Sequence, residues 1–147
     1  MKTILKLTLA IAAFAATASF VSCKDVIVTV DKLPAAAQAF LKEVFPESSI
    51  SYVKKDKELT KTTYEVVFQD GSEVEFDSKG NWDNVDCKRS AVPASLVPEA
   101  IAEYVQTNFP GQAIVKIDKE PYGHEIELIS DLELKFDKKG KLITVDD

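Results

Sequence analysis

The chain has 147 residues, a formal net charge of −6, 46% hydrophobic residues, two cysteines and one histidine. That is enough apolar sequence for one compact domain or two very small ones. The acidic balance argues against a nucleic-acid partner, whose phosphates demand Lys and Arg, and against electrostatic docking on anionic lipid.

Residues 1–22 read as a secretory signal peptide: Lys2 and Lys6, an apolar run from Ile4 to Phe14, then small residues. The run is short for a stable membrane span. Phe20-Val21-Ser22-Cys23 resembles a bacterial lipobox, with Phe20 where Leu is usual. The resemblance implies cleavage before Cys23 and lipidation of its sulfur. Acyl chains contribute about 0.8 kcal/mol per buried methylene, and this anchor would be the protein's only membrane contact. Cleavage after Ala16-Thr17-Ala18 is the alternative and would leave Cys23 a free thiol. With Cys23 lipidated, Cys87 has no intramolecular partner, so a disulfide framework is excluded and Cys87 reads as an ordinary strand-end residue. Residues 23–31 form a tether or a short leading strand.

From Lys32 onward one unit is written twice, over residues 32–87 and 95–147, with a hinge at 88–94. Leu33-Pro34 and Phe45-Pro46 are repeated 64 residues later as Val97-Pro98 and Phe109-Pro110. Phe76-Asp77-Ser78-Lys79-Gly80 is repeated 60 residues later as Phe136-Asp137-Lys138-Lys139-Gly140, so the second copy is four residues shorter in between. Each copy opens with a helix of about eleven residues. Its first turn accommodates Pro34 or Pro98, its stripe is Ala37, Phe40, Leu41, Val44 or Ile101, Tyr104, Val105, and Pro46 or Pro110 stops it. Such short helices must pack on something.

Four strands follow in each copy: Ile50–Lys55, Thr63–Gln69, Ser72–Asp77 and Trp82–Asp86, then 114–119, 123–129, 132–137 and 142–146. Alternation turns Tyr64, Val66, Phe68, Val74 and Phe76 toward the helix, with Ile126, Leu128, Leu134 and Phe136 in the second copy. Glu65, Val67, Glu73 and Glu75 face away, as do Glu125, Glu127, Glu133 and Lys135. The expected fold class is α+β: two tandem helix-plus-four-strand units sharing a curved antiparallel sheet, with helices on one face.

A lipoprotein-like leader, two Leu/Val-Pro…Phe-Pro pairs and two Phe-Asp-x-x-Gly turns together resemble the PepSY-like family of β-lactamase-inhibitor-like periplasmic proteins. The resemblance covers nearly the whole chain after the leader. It implies a fold similar to the β-lactamase inhibitory protein and a role in binding or inhibiting other periplasmic proteins. A calcium-responsive role is also implied, and no catalytic residues carry over.

The residues themselves offer little for an enzyme. His124 takes the place of Tyr64 on the inward side and reads as a core-edge histidine. There is no nucleophile motif, zinc set or phosphate loop. Paired carboxylates such as Glu73 with Glu75 read as a solvated face opposed by Lys116 and Lys135, with a hard-cation site as the sharper alternative. Tyr52, aligned with Lys116, faces outward. If Trp82, aligned with Leu142, shares that face, then Tyr52, Val67 and Trp82 form a patch ringed by Glu65, Glu73 and Glu75; otherwise Trp82 closes the core. Tyr122, at a loop tip, is a second anchor. The expected function is non-catalytic recognition of a protein or peptide without a cofactor, and the alternative is a calcium- or small-ligand-responsive sensor.

Overall fold

The two proline-bounded segments form helices of equal length, α1 (Ala35–Val44) and α2 (Glu99–Asn108), in the computed structural model, which describes residues 25–147. The leader and Cys23 lie outside the described residues. Pro34 and Pro98 stand immediately before the first helical residue, in extended geometry, rather than within the first turn. Phe45 and Phe109 close the helices, their N–H groups donating to the carbonyls of Leu41 and Val105 at 3.0 and 2.8 Å. The prolines that follow have no N–H to continue the ladder.

The strands are β1 (Val26–Val28), β2 (Ile50–Lys57), β3 (Thr62–Phe68), β4 (Glu73–Phe76), β5 (Trp82–Asp86), β6 (Ile114–Glu120), β7 (Gly123–Leu128), β8 (Glu133–Asp137) and β9 (Leu142–Asp146). They make a single open antiparallel sheet in sequence order. The fold is α+β. The leading segment contributes β1 to the edge of β2. Residues 88–94, read as a hinge, run from β5 toward a short 3-10 turn, Ala94–Leu96, before α2. Their Val92 is buried, and its N–H donates to the carbonyl of Ile114 at 2.9 Å.

One line of side chains crosses all nine strands. Val28, Val53, Val66, Val74, Val85, Ile117, Ile126, Leu134 and Val145 each stand directly opposite the next. From Val53 to Leu134 none is more than 1% exposed. Both helices cover this line. Ala37 and Leu41 of α1, and Ile101 and Val105 of α2, are buried in the same core as the row. Phe40 meets Phe76 edge-on at 5.5 Å, and Tyr104 meets Phe136 edge-on at 5.4 Å, so the two repeats use the same aromatic contact.

The Phe-Asp-x-x-Gly motif has two mechanical parts. Asp77 Oδ1 accepts from the N–H groups of Lys79 and Asn81 at 2.8 and 2.9 Å, and Asp137 Oδ1 accepts from Lys139 and Lys141 at the same distances. Each carboxylate thereby closes its own turn. Burial is the largest single influence on Asp77 and raises its carboxyl pKa, but the turn hydrogen bonds together outweigh it. At Asp137 the bond from Lys141 leads against a smaller effect of burial, so both carboxyls lie below the usual range. The glycine then lies against the start of the helix. Gly80 has φ +89, and a Cβ there would come within 2.7 Å of Ala37 N and 2.9 Å of Pro34 Cβ. At Gly140 it would meet Ala100 Cβ at 2.6 Å. The Pro motif and the Gly motif recur together because they are two sides of one contact.

Gly80→Ala is expected to lower stability by about 2–3 kcal/mol, since it adds a clash to a strained φ. Gly71 has φ +88, but a Cβ there would meet nothing within 4 Å. Gly71→Ala should therefore lose only about 1 kcal/mol, from backbone strain alone. Urea midpoints of the two variants check the difference.

Candidate interaction face

The face of the sheet opposite the helices carries two parallel rows of polar side chains. The first runs Lys54, Glu65, Glu75, Asn84, Asp118, Glu125, Lys135, Thr144, each directly opposite the next. The second runs Tyr52, Val67, Glu73, Asp86, Lys116, Glu127, Glu133, Asp146. Carboxylates are direct cross-strand neighbours at Glu65/Glu75, Asp118/Glu125, Glu73/Asp86, Glu127/Glu133 and Glu133/Asp146. Such like-charge pairs destabilise a sheet.

Lysines interrupt the acidic rows. Lys54 lies 3.4 Å from Glu65 and 3.3 Å from Asp25. Lys116 reaches Asp118 at 3.3 Å, and Lys135 reaches Asp146 at 3.0 Å and Glu125 at 3.8 Å. Lys88, at φ 58, reaches Asp86 at 2.7 Å and Glu73 at 3.3 Å. These partly solvated pairs are each worth little. Asn84 donates to Asp118 and ties the two repeats together across the β5–β6 joint. Glu75 has no such lysine contact within its row. Burial pushes its carboxyl pKa up; Lys61 opposes this, and Asp83, Glu65 and Asp118 add to it. Beside it, Lys54, Asp56, Glu58, Lys61, Thr63, Glu65 and Glu75 line a depression of about 260 Å³. Asp56 Oδ1 is buried there without a hydrogen-bond partner.

Tyr52 and Val67 are direct cross-strand partners on this face, Tyr52 being 42% exposed and Val67 8%. Glu73 stands beside Val67, and Glu65 and Glu75 fill the neighbouring row, so these five expected site residues lie together. Trp82 does not join them. The β4–β5 ladder slips by one residue at Asp83, so that Glu75 faces Asn84 while Phe76 faces Trp82. The extra residue reverses the alternation counted back from Val85 and turns Trp82 to the helix side. There its ring packs 6.3 Å from Phe40, and Lys119 Nζ sits 3.7 Å above it. The outward aromatic patch is therefore Tyr52 with Val67 alone. A signal for this was present: Leu142, the counterpart of Trp82, lies three residues before Val145, a spacing that needs a bulge if both face inward.

Tyr122 sits in the β6–β7 turn on the other half of the sheet, its hydroxyl donating to Glu125 at 2.9 Å. Burial and the Glu125 carboxylate push that hydroxyl up to about 12. His124 stands opposite Phe136 and Lys119 at the inward edge, where burial and then Lys119 lower its pKa. Tyr64 stands correspondingly opposite Phe76 and Lys55. Cys87 is buried, and burial raises its thiol pKa. Asn84, Asp86 and Asp118 were missed as members of the face, because nothing in the sequence says that β5 pairs with β6. Among the described residues no group of three or more His, Cys, Asp or Glu side chains is placed to hold a metal ion, and no helix is long and apolar enough to cross a membrane.

Trp82→Ala should lose about 2–3 kcal/mol as a partly buried core aromatic, while Tyr52→Ala should stay within about 0.5 kcal/mol of the parent. Denaturant titration separates the two. Glu75→Gln should raise the melting temperature at pH 7. A raised carboxyl pKa means that the ionised native form is disfavoured at neutral pH, and the native protein recovers that loss as pH falls through the folded value toward 4.5. The advantage of the variant should accordingly shrink on acidification, and melting curves across that window check the sign.

Comparison with known proteins places the chain. A family model described as "Putative beta-lactamase-inhibitor-like, PepSY-like" matches it twice, over residues 17–65 and 62–144. Among curated proteins, none matches the chain. A crystal structure from Bacteroides thetaiotaomicron, described as a "putative calcium-regulated periplasmic protein", is 41% identical, with a TM-score of 0.81 over 84% of this chain and 97% of that one. Another, from Bacteroides vulgatus, described as a "putative periplasmic protein of unknown function", is 38% identical, with a TM-score of 0.80 over 84% of this chain and 100% of that one. A second Bacteroides vulgatus structure, also described as periplasmic, has the same identity and TM-score and is covered over 98% of its length. These relatives support a periplasmic location. With the family matched over most of its length, the chain belongs to the PepSY-like, β-lactamase-inhibitor-like family.

Proposed function

We propose that the chain is an exported, non-catalytic binding protein, held at the membrane by lipid on Cys23, whose open sheet face recognises a basic protein or peptide surface. The observation that carries this reading is the set of directly opposed carboxylates on a sheet face that neither α1 nor α2 covers. Opposed like charges work against the sheet, and Glu75 in particular is disfavoured in its ionised form. A partner bearing Lys or Arg would supply the missing counter-charge and select the orientation of docking. Tyr52, seated on Val67, provides an exposed aromatic anchor of the kind that dominates interface energetics. The mechanism is steric: a sheet face laid over a partner blocks whatever lies beneath. Inhibition is then a consequence of binding, in keeping with the family's inhibitor-like description.

A second reading has one observation in its favour. The 41% identical relative is described as calcium-regulated, and the carboxylate rows of this chain offer hard oxygen ligands. Calcium would in that case be held by a pair of carboxylates together with water, since no three acidic side chains among the described residues converge on one point.

One experiment addresses both readings. The immobilised protein is exposed to periplasmic extract in calcium and in chelator, alongside Tyr52→Ala and Glu65→Lys variants. The binding reading expects a captured protein whose retention falls at least about tenfold in either variant, equivalent to roughly 1.4 kcal/mol, and weakens with added salt. Capture unaffected by both substitutions would remove the face from consideration. Retention or melting temperature that follows calcium would favour the second reading.

A further inference from the structure

β9 is the counterpart of β5. Each follows a Phe-Asp-x-x-Gly turn, each carries one extra residue where the ladder slips, and each contributes a valine to the helix-side row. Their surroundings differ. β5 pairs with β4 on one side and β6 on the other, whereas β9 pairs only with β8 among the described residues. Val85 is fully buried and Val145 is 42% exposed. The compositions run against these positions. The interior strand reads Trp-Asp-Asn-Val-Asp, and the edge strand reads Leu-Ile-Thr-Val-Asp. Edge strands are ordinarily blunted by charge, proline or brevity. Here Ile143 replaces Asp83 and is 56% exposed, and Thr144 replaces Asn84. The opposite edge, β1, is apolar and exposed as well, but it is only three residues long.

We infer that β9 is an interface strand that pairs antiparallel with β9 of a second copy about a two-fold axis at Val145. The β5–β6 joint supplies the pattern. Cys87 N–H donates across it to the carbonyl of Val115, and Val85, two residues earlier, stands opposite Ile117, so the backbone groups of Val85 face that joint. Val145, in the corresponding place, turns its N–H and C=O to the open edge. Centring the pair there sets Val145 against Val145 and continues the buried apolar row into the second molecule. It also sets Thr144 against Asp146 twice, a hydroxyl facing a carboxylate, and leaves no two like charges directly opposed. Thr144 Oγ1 already lies 3.4 Å from Asp146 Oδ1 within the strand. A self-complementary strand closes at two copies, whereas pairing β9 with β1 would run on into filaments.

Sedimentation velocity over a concentration series tests this in a Cys23→Ser background, where lipid cannot drive association. The expected result is a concentration-dependent dimer that Val145→Lys abolishes and that Ile27→Lys, on the other edge, leaves intact, with far-UV circular dichroism unchanged in both. A parent protein that stays monomeric throughout overturns the inference. So does a dimer that survives Val145→Lys or is lost in Ile27→Lys.

Discussion

The register of this sheet depends on a single line of apolar side chains. From Val53 to Leu134 every strand places one aliphatic residue directly opposite the next, and none of them sees solvent. A one-residue slip in any strand would send that residue to the open face and bring a carboxylate or lysine under a helix. The penalty for burying an unpaired charge exceeds that for exposing a valine, so the polar rows hold the register as firmly as the apolar one. The helices add little of their own stability at ten residues each. They are held by Phe40, Phe45 and Tyr104 against the sheet, and by the glycine turns against their first residues.

The same register determines the chemistry of the other face. Once the apolar row is set, Glu65 must oppose Glu75 and Glu73 must oppose Asp86. The acidic rows are therefore not scattered surface charge. They are ordered at strand spacing on a rigid support, with lysines only at intervals. A face of this kind tolerates exchange of one polar side chain for another, since the core lies behind it. Its composition can be changed for recognition without disturbing what holds the sheet together.

Much of this was legible from spacing. The helix stripes, the proline stops and the inward strand residues all follow from period and punctuation, because both repeats must bury the same faces. The turns were legible as glycine positions, but not the contact between Gly80 and the start of α1, which joins segments more than forty residues apart. The face of Trp82 was the main point left open, and the structure decides it for the core. Alternation carries a residue's face correctly only while the ladder is regular, and the slip at Asp83 breaks it. The cross-joint pair of Asn84 with Asp118 was hidden for a different reason: strand order between repeats is a tertiary choice that leaves no periodic mark.

The position of Trp82 has an experimental use. It is the chain's only tryptophan, and the ammonium lying over its ring belongs to Lys119 of β6, in the other repeat. The protein thus carries one tryptophan fluorophore, which can be excited selectively over its tyrosines, placed on its own internal seam. An emission change that coincides with loss of backbone structure would mean that the two halves melt as a unit. A change that comes first would mean that the seam opens while each half still stands.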